Sequence, residues 1–335
     1  MTASPEITVV IPTHNRAPKL VDTLDHLDGQ TVDAGWEVIV VANNCEDDTV
    51  LTVRDRTERF PVPLTVLEEP KPGAAAARNA GARRAAGRDL LFLDDDILVE
   101  PDCIDRLLRD RHEHPGAWIV GQVFPLPEHR ATPFGAFRAA SLAAVGTDGP
   151  PEEVEWFASG IALVPKAALL DVGGYDETFT TAALEDADLA IRAVRAGVRV
   201  VFDPGLTSRH NDSAGTAIRD YCRRARIHCA TAPQLERRFG TDGHPWSSLI
   251  LGNRPPSWPR DGPRAIAKKL LKRAGGTAFS LSILFALADR LERRDAPSGL
   301  LWTVYRAAIA GSMYAGFQEG LQRGVGSAEP AVPSP

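Results

Sequence analysis

Residues 7–11 carry apolar or β-branched side chains at every position, the pattern of a strand covered on both faces, and Pro12 is read as its stop. Leu20, Thr23, Leu24 and Leu27 then recur at helical spacing, and a second apolar run fills 37–41 after Gly35. The alternation continues with a helix over 47–59, a short strand over 64–67, an alanine-rich helix over 75–86 and a strand over 89–93. Strands alternating with helices predict an α/β fold with a doubly wound, mostly parallel, Rossmann-like sheet. A strand over 161–164, a Gly173-Gly174 turn, a helix over 184–196 and a strand over 198–202 read as the other half of the same domain. Between the halves, residues 124–155 are rich in Pro, Gly and Ala with weak periodicity, which predicts a loop-and-helix excursion over the site.

Beyond about residue 213 the pattern becomes arginine-rich helices, a proline-rich break over 253–263 and two amphipathic helical segments. The expected division is a catalytic domain over 1–212, with a nucleotide-binding half (1–100) and an acceptor half (101–212), a helical region over 213–323 and a disordered tail over 324–335.

With 44% hydrophobic and 24% charged residues in 335, the chain has the make-up of an ordinary globular protein. A net charge of −6 argues against a general nucleic-acid binder. Four scattered cysteines lack the paired spacing of a zinc or redox site and read as reduced thiols in cytoplasm. The polar start lacks a signal-peptide pattern, and the most apolar stretch, 277–288 between Arg273 and Arg290, is too short to span a bilayer. The expected location is cytoplasmic. Arg264, Lys268, Lys269, Lys272 and Arg273 around Ile266, Leu270 and Leu271 read first as an ordinary amphipathic helix packed on the catalytic domain or on a second subunit of a homodimer, with peripheral contact at the inner face of the membrane as the alternative.

In doubly wound sheets ligands bind at the carboxyl ends of strands, and polar residues follow each apolar run: Pro12 to Asn15, Asn43-Asn44 and Asp94-Asp95-Asp96. Three adjacent carboxylates repel one another, and hard oxygen donors suit Mg²⁺ or Mn²⁺. A second acidic cluster, Glu185-Asp186-Ala187-Asp188, opens a helix, where Asp186 or Asp188 can take a proton from a weak nucleophile. Arg78, on the helix after Pro72-Gly73, is of the type that grips phosphate oxygens bidentately, and His210 closes what reads as another strand end, suited to ligate a metal. Neither GxGxxG nor the P-loop spacing is present at this site.

Together these segments resemble the inverting family 2 glycosyltransferases of the GT-A fold. The likeness rests on residues 7–16, 37–49, 77–81, 92–96, 173–177 and 185–189, in the family's order, and covers roughly 5–212. It implies a nucleotide-diphosphate sugar as donor and Mn²⁺ or Mg²⁺ as cofactor. By the same resemblance Pro12 and Thr13 lie near the base, Arg78 near base or phosphates, Asp94 near the ribose and Gly160 near the donor sugar. Asn15, Asn43 and Asp95 complete the donor set. Asp96 holds the metal, with Asp94 and His210 as further ligands; Asp186 is the catalytic base, with Glu185 and Arg192 supporting the acceptor side.

Asn43 stands where family members carry an aspartate that reads the base imide, which leaves uridine, thymidine and guanosine donors open. The processive signature QxxRW is absent after His210, so transfer of single sugars is expected. The acceptor is a small molecule, a lipid-linked sugar or a glycan, and the Ala-, Arg-, Gly- and Pro-rich composition resembles that of a high-GC bacterium. The competing readings are a sugar-phosphate nucleotidylyltransferase, which wants a glycine-rich phosphate loop where Pro12-Thr13-His14-Asn15 stands, and a non-catalytic nucleotide-sugar-binding module.

Overall fold

The structure, a computed structural model, describes residues 4–142, 149–294 and 298–325. By its internal contacts the chain divides into two compact units, residues 1–128 with 139–212, and residues 129–138 with 213–335.

The first unit opens with β1 (Ile7–Thr13), α1 (Ala17–Asp28), β2 (Trp36–Asn43), α2 (Thr49–Arg54), β3 (Leu64–Glu69), α3 (Ala74–Arg84) and β4 (Asp89–Leu93). It continues through β5 (Ile97–Val99), α4 (Cys103–Glu113) and β6 (Trp118–Pro125). After α5 (Pro133–Leu142), whose first residues belong to the second unit, come β7 (Glu152–Val154), β8 (Ile161–Pro165), α6 (Lys166–Asp171), α7 (Glu185–Arg195) and β9 (Val200–His210). Pro12 does not end β1: it lies within the strand opposite Val41, where the pairing asks it for no N–H that the sheet cannot do without. Residues 143–148 of the excursion lie outside the described residues.

All nine strands join one sheet in the order β3-β2-β1-β4-β8-β6-β9-β5, with β7 also on β9. The first half is parallel throughout, β3 to β2 to β1 to β4. The second half departs from the mostly parallel expectation. β8 runs antiparallel to β4 and β6, and β9 is parallel to β6 but antiparallel to β5 and β7. The chain leaves β6 at one edge and re-enters through β8 at that same edge, so β8 has to run the other way. Its beginning, at Ser159-Gly160, therefore lies beside the end of β4, on the sheet edge where β1 and β2 also end.

Alternate residues of the strands, among them Ile7, Val9, Ile11, Val38, Val40, Leu91 and Leu93, build one apolar layer, covered by Leu20, Leu24 and Leu27 of α1 and Ile104 and Leu107 of α4. Helix and strand periodicities thus meet in a single core that fixes the sheet edge.

The second unit holds α8 (Ile218–Phe239), α9 (Ser247–Asn253), α10 (Pro263–Gly275), α11 (Ala278–Arg293) and α12 (Ser298–Val325). The two expected amphipathic segments after the proline-rich break are three helices, and α12 carries the helix through Val325, two residues into the expected tail; residues 326–335 lie outside the described residues. Phe134, Phe137, Ile218, Tyr305 and Ala308 share its core. Among the described residues no single helix is long and apolar enough to cross a membrane; α10 and α11 meet that composition only as a pair bent by 82°. All four cysteines are free thiols.

Candidate functional site

Each polar segment that follows a strand arrives at one sheet edge because the strands that deliver it are in register: Thr13 lies opposite Ala42, and Leu93 opposite Ile161. The loops leaving β1 and β2 each carry a residue in the left-handed region, Asn15 (φ 52°) and Asn44 (φ 53°), which asparagine tolerates. Leu184 (φ 65°), the residue before α7, has no such excuse; a branched side chain there marks backbone strain at the entrance of the acidic helix.

The aspartate triplet is neutralised from inside the protein. Asp95 accepts from the Thr13 hydroxyl at 2.7 Å, and Arg16 bridges Asp95 Oδ1 (2.8 Å) and Asp96 Oδ2 (2.5 Å). His210 Nε2 lies 3.3 Å from the other Asp96 oxygen. Burial works against the Asp96 carboxylate, but His210 and Arg16 outweigh it and hold its pKa down to about 2. Asp95, more deeply buried and beside two further aspartates, is pushed up to about 7. Burial opposes the protonated form of His210 as well, yet Asp96 keeps its pKa raised.

Asp94 turns another way. Its Oδ1 receives Nη2 of Arg78 at 2.8 Å, and Nη1 of the same guanidinium reaches Glu185 Oε1 at 2.7 Å. Arg78 is only 4% exposed and lies 5.4 Å from the Tyr175 ring centroid. Both its terminal nitrogens hold carboxylates, so it ties the two acidic clusters together, while its buried Nε has no hydrogen-bond partner among the described residues. Asp94 N donates to Gly160 O at 3.1 Å, which sets Gly160 beside it.

The expected ligand set changes accordingly. Asp96 and His210 come together with Asp212, their ligand atoms within 4.8 Å of one another, while Asp94 is directed to Arg78 and stands outside this group. Asp212 is the ligand candidate that the reading of motifs missed. His210 is the last residue of β9 and Asp212 lies two residues on, just past the strand, and that i, i+2 spacing is its signal. Carboxylate oxygens and an imidazole are donors that suit Mn²⁺ or Mg²⁺.

In the second cluster the carboxylates part company. Asp188 is fully buried and pairs with Arg192 Nε at 2.8 Å. Arg192 also donates to Val172 O (2.5 Å) and Gly174 O (2.7 Å), so it braces the Gly173-Gly174 turn. Asp186 is half-buried and receives one hydrogen bond, from Ala187 N at 2.9 Å; among the described residues no ion pair reaches it. Burial first, then the neighbouring Glu185, pushes its pKa up to about 7.

Asn43 and Asn15 are both engaged within the protein. Asn43 donates to Glu69 O (2.8 Å) and Lys71 O (2.7 Å) and accepts from Gly73 N (2.8 Å), so its amide pins the β3–α3 loop. Asn15 accepts from Glu46 N (2.7 Å), tying the first loop to the second. Asn79, within the 77–81 segment but given no role there, clips the turn before α7: it accepts from Tyr175 N at 2.9 Å and donates to Tyr175 O at 2.8 Å. Gly174 has φ 68°, and a Cβ there would sit 2.8 Å from that amide oxygen.

Comparison with known proteins follows the same lines. The chain matches the family Glycosyl transferase family 2 over residues 8–132 and Glycosyl transferase family group 2 over residues 90–288. It is 31% identical over 222 residues to a validoxylamine A glucosyltransferase of Streptomyces hygroscopicus subsp. jinggangensis, covering 58% of this chain and 52% of that one. It is 29% identical over 248 residues to a pre-mycofactocin glycosyltransferase of Mycobacterium tuberculosis, covering 70% of this chain and 48% of the relative. The chain thus spans about half the length of these curated relatives. Among solved structures, the mannosyltransferase PcManGT from Pyrobaculum calidifontis in complex with GDP-Man and Mn²⁺ superposes with a TM-score of 0.60 at 22% identity, over 95% of this chain and 89% of that one. S. aureus TarS 1-349 in complex with UDP gives a TM-score of 0.50 at 16% identity, over 95% and 92%. The fold is GT-A, and with a family match over more than half of its length the chain belongs to the family 2 glycosyltransferases.

Proposed function

We propose that this chain is an inverting glycosyltransferase that moves a single sugar from a nucleotide-diphosphate sugar to a hydroxyl, or another nucleophile, of an acceptor. The observation that carries this reading is the Asp186 carboxylate. It is half-buried, without an ion pair among the described residues, and poised with a pKa near 7. A base with that pKa is available at neutral pH and still basic enough to take a hydroxyl proton. Glu185 next to it is committed to Arg78 and positions the helix start; Asp188 is committed to Arg192.

Asp96, His210 and Asp212 would hold Mn²⁺ or Mg²⁺, in keeping with the GDP-Man and Mn²⁺ of the archaeal mannosyltransferase. When bound, the cation supplies charge neutralisation for the departing diphosphate. Thr13, Asp94 and Gly160 at the same edge form the donor side, and the absence of QxxRW after His210 favours one transfer per encounter. Incubation with UDP-, dTDP- and GDP-sugars, Mn²⁺ and an acceptor panel tests the reading. Release of free nucleotide diphosphate with an inverted product anomer supports it. A retained anomer, release of pyrophosphate, or binding without turnover contradicts it, the last two pointing to a nucleotidylyltransferase and to a binding module.

A second reading concerns α10 and α11. On α10, Lys269 turns inward to Asp261 at 2.8 Å and Lys272 to Gly252 O at 2.8 Å, while Leu271 (73%) and, on α11, Phe279 (75%) are exposed beside Arg264, Lys268 and Arg273. Exposed apolar side chains among cations match an anionic lipid surface, and this face is assigned to peripheral membrane contact. Flotation with phosphatidylglycerol vesicles, lost in Leu271→Glu with Phe279→Glu, is the expected result; equal flotation of both forms rejects it.

A further inference from the structure

The two buried aspartates of the triplet are closed by a side chain that is itself free to leave. Arg16 lies just outside α1, and its side chain is 39% exposed against 5% for each of Asp95 and Asp96. Its guanidinium spans the pair, 2.8 Å to one and 2.5 Å to the other. The remaining oxygens are held by groups fixed on strands, Thr13 at 2.7 Å and His210 at 3.3 Å. A divalent cation gathered by Asp96, His210 and Asp212 would therefore share Asp96 with a guanidinium already seated on it. Two cations on one carboxylate oppose each other, and the opposition is weakened little by solvent where the carboxylate is buried.

We propose that Arg16 is a built-in counter-cation that competes with the divalent metal for Asp96, so that the nucleotide-free protein keeps its metal site closed by an internal ion pair. The proposal rests on the metal reading above. The charge opposite Asp95 and Asp96 is supplied by the chain itself, on a partly exposed side chain that follows the strand. Arg16 thus has a positioning role, acting on the metal's ligand and not on the sugar.

Nucleotide-free full-length protein titrated with Mn²⁺, with free Mn²⁺ read by electron paramagnetic resonance, tests it. Arg16→Gln should bind Mn²⁺ about tenfold more tightly than wild type, since removal of a like charge at this range is worth about one decade. Arg16→Lys, which keeps the charge but cannot bridge two carboxylates, should fall between them. Without metal both variants should melt below wild type, and Mn²⁺ should raise the melting temperature of Arg16→Gln more than that of wild type. A residue that merely supports the loop would lower stability without tightening Mn²⁺ binding. Equal or weaker binding by both variants, with binding still abolished by Asp96→Asn, overturns the proposal and leaves the metal reading intact. Mn²⁺ binding that is insensitive to Asp96→Asn, or absent from every form, overturns both. Should Arg16→Gln fail to fold, the comparison of Arg16→Lys with wild type decides alone.

Discussion

The acidic triplet at 94–96 and the acidic cluster at 185–188 have nearly the same chemistry in sequence and opposite fates in the fold. At the end of β4 the carboxylates stay at one sheet edge and are compensated one by one: Asp94 by Arg78, Asp95 and Asp96 by Arg16, Asp96 again by His210. On α7 neighbouring residues diverge by about 100° around the helix. Glu185 is drawn to Arg78 and Asp188 to Arg192, and Asp186 is left without an ion pair among the described residues, feeling Arg78 only at longer range. The difference teaches that a carboxylate's function here follows from what it is not paired with. Pairing alone does not set the pKa, since Asp95 is raised to about 7 despite Arg16, but Asp186 is the carboxylate of the two clusters that combines a raised pKa with no ion pair among the described residues, which is why it is the proposed base.

The contrast can be broken by mutation, most severely at its two poles. Asp186→Asn should lower turnover by about 10²–10⁴-fold while leaving nucleotide binding within a few fold, as measured by nucleotide diphosphate release and by calorimetry. Asp96→Asn should remove Mn²⁺ binding and cost about 10²–10³-fold in turnover, with the loss not recovered by excess metal. In the intact enzyme the rate should climb with pH: protonated Asp186 cannot act as a base, so kcat/KM should rise about tenfold between pH 6 and pH 8 around the pKa of about 7, an acid limb absent from the residual activity of Asp186→Asn. Asp188→Asn should sharpen the comparison from the other side. Only two residues away, it should change turnover of the folded protein by less than about threefold and instead lower stability by about 2 kcal/mol in denaturant melts, since Arg192 loses a buried partner.

Much of the first half was legible because each signal there is local. The fully buried run Asp89–Leu93 and the parallel pairing of β1, β2 and β3 follow from apolar runs separated by helical spacing. The second half was not, for reasons outside any short window. β6 carries Gly121 and Gln122 at a register shift, so its period is interrupted, and β5 is three residues long. The direction of β8 depends on where a long excursion brings the chain back. In the site, residue types did not disclose their partners within the fold. Arg78 meets Glu185, 107 residues away, and three backbone groups of the β3–α3 loop engage the Asn43 amide, pairings that no short window of sequence contains. Asp212 and Arg16 were within reach of simple rules, period-two spacing for one and electroneutrality of the triplet for the other.

The central claim, a divalent cation at Asp96 opposite a base at Asp186, is tested most directly by anomalous diffraction from crystals grown with Mn²⁺ and a nucleotide diphosphate. The account predicts one strong manganese peak within bonding distance of Asp96 and His210, with the Asp186 carboxylate lining the cleft that holds the diphosphate. A peak away from the triplet, or a diphosphate bound in a cleft that Asp186 does not face, would contradict it.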